Sequence, residues 1–341
     1  MSFEKRMPKA TWRITLDGRD LTDKLRPLLI SLTLTEKRGE EADELELIID
    51  DKNGTVEIPP AGKKLKVEMG WQQGQGLPIG LVDKGEFKVD EAEWEADPDK
   101  IIIRARSADF TDSYRVRRER SFVNTTVGHI VETIASENGL TAHIDPNLKS
   151  KSVPALGSGA KSDSARIMEL GKRFDAVATV KMGKLIFAPI GKGQTAGGTS
   201  LPVETIDRSQ CGLGARYGRA ERDTYNGVEA QYHDKATGTK MTVVAGGGNG
   251  DGKPKRLRRT FASEASARQA AEAEHKRVVR SKAKMSLPLA LGRPDLTPER
   301  PLKLTGYKTE INDHDWLIAE ASHSMDGRGG LMTRLSLETG S

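Results

Sequence analysis

Cysteine is almost missing from this chain: Cys211 is the only one among 341 residues. A single thiol cannot close an internal disulfide or anchor a cysteine-based zinc site. Aromatic residues are scarce at 5%, and apolar residues make up 36% of the chain against 30% charged. Modest cores and a wide wetted surface follow, so packing and association must supply what covalent staples do not. No run approaches the roughly 20 apolar residues needed to cross a bilayer, so no membrane span is expected. The opening MSFEKRMPKATW lacks the apolar centre of a secretory signal, and the chain is expected to begin life in the cytoplasm. A strong excess of one charge is missing too. The net charge of +5 permits nucleic-acid binding without implying it.

What is present is patterned. The length predicts two or three domains, each burying its own core. In the first third, apolar residues alternate with polar ones: Trp12, Ile14 and Leu16; Leu28, Ile30, Leu32 and Leu34; Leu45, Leu47 and Ile49. Leu65, Val67 and Met69 continue the series, then Phe87 and Val89, then Ile101, Ile103 and Ala105. Short strands separated by turn residues predict a β-barrel or sandwich. Near residue 120 the period changes. In TTVGHIVETIASENGL, Val127, Ile130, Val131, Ile134 and Ala135 form a helical stripe, with Thr125 or Thr126 as N-cap and Gly139 as stop. A second helix is predicted in SDSARIMELGKRF, capped by Ser162 or Asp163 and burying Ile167, Leu170, Gly171 and Phe174. AVATVKMGKLIFAP then reads as a hairpin. Alternation returns at Val228, Ala230 and Tyr232, is interrupted by the alanine-rich helix SEASARQAAEAEHKRVVRSKAK, and closes the chain in PLKLTGYKTEI, WLIAEASH and LMTRLSLE. The fold class is therefore mainly β with an α/β insertion. Its expected divisions are a first β-barrel-like domain over 1–120, a small α/β domain over 121–200, and a second β-barrel-like domain with one long helix over 201–341.

Five stretches invite a chemical reading. INDHDWLIAEASH gathers Asp313, His314, Asp315, Glu320 and His323, with two of the six histidines. On one extended strand, Asp315 and His323 would stand about 26 Å apart and could not ligate one ion. The plainer expectation makes NDHD a turn and the rest a strand at a sheet edge, with Trp316 and Ile318 on one face and Leu317, Ala319 and Ala321 on the other. GGGNGDGKP places Gly247, Gly252 and Lys253 in phosphate-loop spacing, but Pro254 replaces the magnesium-binding hydroxyl and no helix follows at once. His129 and Glu132 sit one helical turn apart, roughly 200° and 140° from Val127 at 100° per residue, and should face solvent. The basic runs RVRRER from Arg115 and KPKRLRR from Lys253 lack interleaved aromatics, so a solvated face or an ionic partner interface is expected. No G-x-S-x-G elbow or H-E-x-x-H pair occurs. No catalytic residue, cofactor site or metal site is assigned, and an enzyme is not expected.

The order of the pieces resembles the late control protein D family, the baseplate hub proteins of contractile phage tails and related prophage particles. The resemblance is carried by TTVGHIVETIASENGL, by SDSARIMELGKRFDAVATVKMGKLIFAP, and by LGRPDLTPERPLKLTGYKTEINDHDWLIAEASHSMDGRGGLMTRLSLE. It covers essentially the whole chain in order. The family is similar in architecture to the hub part of the type VI secretion spike. With Ser341 as its end this chain would leave no room for a β-helical spike, and a separate spike protein is the expected partner. The resemblance implies a non-enzymatic homotrimer that joins a sixfold tail tube to a threefold spike, with tape-measure and other baseplate proteins as further candidate partners and no specific nucleic acid. It implies a place in the virion tail baseplate after assembly in the host cytoplasm. Two other classes are set beside it: a tail-associated cell-wall-degrading or wall-binding protein, needing paired carboxylates in a cleft, and a nucleic-acid-binding regulator.

Overall fold

The computed structural model describes residues 7–39, 42–107, 112–157, 159–181, 183–193, 200–219, 225–234, 236–247, 253–326 and 330–340. The first part comprises β1 (Lys9–Leu16), β2 (Arg19–Asp20), α1 (Thr22–Leu25), β3 (Leu29–Lys37), β4 (Glu44–Asp50), β5 (Lys64–Gln73), β6 (Gly80–Glu95) and β7 (Lys100–Ser107). The middle part holds α2 (Asp112–Arg115), β8 (Arg117–Glu119), β9 (Phe122–Thr126), α3 (Val127–Glu137), β10 (Thr141–Ile144), α4 (Pro146–Lys149), β11 (Ser152–Leu156), β12 (Ala160–Ser162), α5 (Asp163–Phe174), β13 (Ala176–Lys181) and β14 (Lys184–Pro189). The last part runs through β15 (Glu204–Asp207), β16 (Arg216–Arg219), β17 (Gly227–His233), β18 (Lys240–Gly246), β19 (Lys255–Phe261), α6 (Glu264–Arg280), β20 (Ala283–Leu289), β21 (Pro301–Thr305), α7 (Thr309–Asn312), β22 (Trp316–Asp326) and β23 (Leu331–Thr339). The protein is mainly β. Among the described residues no helix is long and apolar enough to cross a membrane.

Alternation does the work expected of it in the first part. Trp12, Ile14, Leu45, Leu47, Ile49, Leu65, Val67, Phe87, Ile101 and Ile103 are buried together in one core. One detail differs: a bulge between Leu29 and Ser31 shifts the register of β3 on β4, so Leu29 points inward and Ile30 is 42% exposed. From there Leu32 and Leu34 are buried, and the next inward position is Glu36.

The middle part follows its helical signals. Thr126 caps α3 by accepting a hydrogen bond from the His129 amide, and Ser162 caps α5 by accepting one from Ala165. α5 ends on Asp175 in the left-handed region at φ 52°. Gly171 lets α5 lie close on β13, because a Cβ there would come within 2.6 Å of the Ala178 Cβ. The predicted hairpin is β13 and β14, which β10 extends to a three-stranded sheet.

In the last part, α6 packs over the small sheet β18-β17-β19, sharing a core of Val228, Ala230, Val243, Ala267 and Ala271. The helix stops at Arg280, short of the Lys284 expected from alanine content, because strand pairing of β20 with β23 already begins at Lys284. The largest sheet runs β16-β20-β23-β22-β3-β4-β7-β6-β5-β1-β2, so the first and last parts share one hydrogen-bonded surface. β22 is the strand that joins them. Its Trp316 and Ile318 belong to the core under β20 and β23, while Met325 belongs to the core of the first part.

Candidate functional site

A bulge in β22 between Ile318 and Glu320 changes which residues face inward. Ile318, Ala321, His323 and Met325 are all buried, so the expected alternation fails at Ala319 and the strand has a polar residue in its inner row. β22 also lies between β3 and β23 over this stretch, not at a sheet edge. His323 is 0% exposed. It meets Glu36, which stands in the inner row of β3, and Lys84, which β6 turns inward where its register on β5 shifts and Gly85 takes φ 89°.

The contacts form a continuous chain. Lys84 Nζ donates to Glu36 Oε2 at 2.6 Å, and His323 Nε2 lies 3.1 Å from the same oxygen. His323 Nδ1 lies 2.8 Å from Thr333 Oγ1, which accepts from the Arg293 amide at 2.9 Å. A carboxylate only accepts, so Nε2 carries the proton, and the Thr333 hydroxyl donates to Nδ1. A neutral imidazole then has a partner at each ring nitrogen. Burial alone would push the Glu36 carboxyl up; Lys84 and then the His323 hydrogen bond outweigh it and hold it down at about 2. Burial, followed by the Lys84 charge, pushes His323 below its ordinary value against the pull of Glu36.

A second polar network begins two residues further along the chain. Arg38 pairs with Glu299, and its Nη1 lies 2.5 Å from Glu338 Oε1. Arg280 Nε reaches the same Glu338 oxygen at 3.1 Å, and its two Nη atoms grip Asp175 at 2.7 and 2.5 Å. Burial chiefly raises Glu299, against the Arg38 guanidinium. For Arg280, burial works against the charge, but Asp175 more than compensates and raises the group. The network ties β3, the turn after α5, the end of α6, the loop before β21 and β23 to one another. Beside both clusters lies a cleft of about 310 Å3, lined by Glu36, Lys84, Val177, Thr179, Lys181 and Glu299 among others. Chemically the arrangement is a clasp. Its acids and bases neutralise one another, and His323 has both ring nitrogens occupied within the protein.

The residues of INDHDWLIAEASH are therefore separated. Asp315 pairs with Lys303 at 2.5 Å, and His314 lies edge-on to Trp316 with ring centroids 5.4 Å apart. Only His323 enters the buried cluster. Among the described residues no group of three or more His, Cys, Asp and Glu side chains could hold a metal ion. His129 and Glu132 are exposed, and Glu132 pairs with Lys149 at 2.8 Å. Gly252 lies outside the described residues; Gly247 and Lys253 flank that stretch. The two basic runs part company. Arg118 and Arg120 approach Glu137, Arg120 also approaches Asp163, and the buried Arg166 donates to the carbonyls of Arg118 and Arg120 at 2.9 and 2.7 Å. The second run forms β19, at the edge of its sheet. Glu36 and Lys84 were not singled out by sequence reasoning. The signal for Glu36 was its even spacing after Leu32 and Leu34; Lys84 gave none, since a bulge sets its direction.

No family model matches the chain. It is 35% identical to the probable baseplate hub protein of Escherichia phage 186, over 95% of this chain and 92% of that protein. It is 34% identical to the probable baseplate hub protein of Escherichia phage P2, over 96% of this chain and 92% of that one. Among solved structures, the 43 kDa tail protein of prophage MuSo2 from Shewanella oneidensis is similar with a TM-score of 0.69 at 14% identity, covering 96% of this chain and 97% of that one. A tail protein from Neisseria meningitidis gives 0.66 at 10% identity, covering 97% and 96%. A type VI secretion component of E. coli, described as similar to phage T4 tail proteins, gives 0.55 at 12% identity, covering 92% of this chain and 74% of that one.

Proposed function

Since the chain belongs to the family of these phage baseplate hub proteins, the late control protein D family that its sequence resembles, we propose that it is itself a structural baseplate hub. The observation that carries this reading is the match to hub relatives over nearly their whole length. The chain would sit at the tail end of a contractile phage particle, between a sixfold tail tube and a threefold spike, after assembly in the host cytoplasm. It would act by geometry, without a catalytic step. Its partners would be two further copies of itself, the tube protein and the spike protein.

The sheet topology supports that division of labour. Within the one large sheet, β1 and β3–β7 form one half and β15, β16 and β20–β23 the other, joined where β22 pairs with β3. Three copies would offer six such halves to a sixfold tube while keeping threefold symmetry towards the spike. The three units proposed are 1–120, 121–200 and 201–341. Separate apolar clusters in each support them, although Met325 and Leu331 reach back into the first cluster. The buried clasp suits a part that carries load, because Glu36, Lys84 and His323 tie the two sheets where they meet. The test is the mass of the purified chain across concentrations, alone and with tube and spike protein added. A trimer or a complex is expected; a chain that stays monomeric in every mixture overturns the reading.

A further inference from the structure

We propose that copies of this chain join through two open sheet edges of opposite charge, the outer half of β6 on one copy and β19 on the next. The proposal rests on the trimeric reading above and names the surfaces that would build it. β6 is long, 16 residues, but β5 pairs with it only between Leu81 and Lys88. Beyond Val89, whose backbone bonds to Gly62 and Lys63, the stretch Asp90–Glu95 has β7 as its only strand neighbour among the described residues. Among the described residues β19 pairs with β17 alone, while α6 covers the inner face of that sheet. Each edge therefore presents backbone donors and acceptors that another strand can complete.

The side chains decide which strand. The free part of β6 reads DEAEWE, with Trp94 49% exposed. β19 reads KRLRRTF, and Arg258 and Arg259 have no carboxylate partner among the described residues. Two acidic edges repel, and so do two basic edges, so a twofold pairing of either edge with itself is disfavoured. Acidic against basic is complementary, and an exposed indole on one side meets guanidinium groups on the other. Arg259 already lies over Phe261 at 5.6 Å, so it is held in place. The acids of the β6 stretch also face cations on β7: Asp90 lies 3.5 Å from Arg106, Glu91 and Glu93 lie 3.0 and 2.9 Å from Arg104, and Glu95 lies 2.7 Å from Lys100, with every side chain 27% exposed or more. On β19, Lys255 and Arg256 already approach Glu274 and Glu229. Exposed pairs of this kind are weak, so they can be exchanged for contacts across an interface.

An interface that joins different surfaces of identical chains is head-to-tail and must either close into a ring or grow. Three copies closing would give the proposed trimer. Of the other open edges of the main sheet, β1 carries Lys9 and Arg13, and β16 carries Arg216 and Arg219, so these two fit each other poorly.

The experiment uses the whole chain. One variant reverses the acidic edge (Asp90→Lys, Glu93→Lys, Glu95→Lys), another the basic edge (Arg256→Glu, Arg258→Glu, Arg259→Glu), and a third carries both sets. Each single-edge variant is expected to associate at least about tenfold more weakly, and the chain with both edges reversed to recover. As a check independent of charge, Trp94→Cys and Arg258→Cys in a Cys211→Ser background should cross-link between chains under oxidation. If both single-edge variants associate like the parent and no cross-link forms, these edges are wrong although the trimer stands. If the parent chain is monomeric in every mixture, the trimer falls, and this proposal with it.

Discussion

Replacing Lys84 with Met would isolate the Glu36 carboxylate in the protein interior. The Lys84 and Glu36 side chains are 1% and 9% exposed, so the lost ammonium would not be replaced by bulk water. Breaking a buried pair from one side costs about 3–5 kcal/mol, because the surviving charge keeps its desolvation penalty. Removing both charges, as in Lys84→Met with Glu36→Gln, should restore more than half of that loss. The pH dependence follows by sign. In the parent protein Glu36 is depressed from 4.5 to about 2, so its contribution, about 3 kcal/mol, is present above the unfolded value and is lost as pH falls towards 2. His323 is also depressed, so its contribution fades as pH drops below the ordinary histidine range. In Lys84→Met, burial raises the Glu36 carboxyl, and a raised group favours the folded state below its unfolded value. The deficit of the variant should therefore be largest near pH 7 and shrink towards pH 4. Urea unfolding at fixed protein concentration, at both pH values, measures it. A loss below about 1 kcal/mol at pH 7, or a deficit independent of pH, would refute the claim that this pair is buried and mutually dependent.

Other substitutions test particular joints. Gly292→Ala puts a Cβ 2.5 Å from the Leu331 side chain and 2.9 Å from its backbone, so a destabilisation of about 1–3 kcal/mol is expected in the same unfolding assay. Trp71→Phe removes the buried indole bond to the Gly292 carbonyl at 2.8 Å and should cost about 1–3 kcal/mol by leaving that oxygen unpaired. Ser162→Ala should cost about 1 kcal/mol and Ser162→Gly only a few tenths, since the loss is that of the α5 cap. His129→Ala should change unfolding by less than about 0.5 kcal/mol, with or without zinc, because the side chain is exposed at the surface of α3.

Much of this structure could be read before it was seen. Strand parity located Ile14, Leu47, Val67 and Ile103 in the core, and cap chemistry narrowed two helix starts to Thr125 or Thr126 and to Ser162 or Asp163, of which Thr126 and Ser162 are the caps. Two kinds of information were not legible. One is long-range pairing: β3 and β22 meet through residues such as Thr35 and Ser322, which no local pattern connects. The other is the bulge. Single-residue irregularities at Leu29 to Ser31, Lys66 to Glu68 and Ile318 to Glu320 decide that Ile30 faces out and that Lys84 and His323 face in. A period-two rule changes sign at each one, so a buried charge reads in sequence like an ordinary surface charge. The histidine that looked like one end of a ligand cluster is part of a structural clasp. The acid that completes it lies 287 positions away.

The central claim is that this chain is a geometric adaptor at the tail end, and an electron-microscopy reconstruction of the assembled particle tests it most directly. Three copies in a closed ring, with the tail tube on one side and the spike on the other, is the predicted result. A particle in which the chain is absent from the axis, or lies there as single copies bound outside the tube, would contradict it.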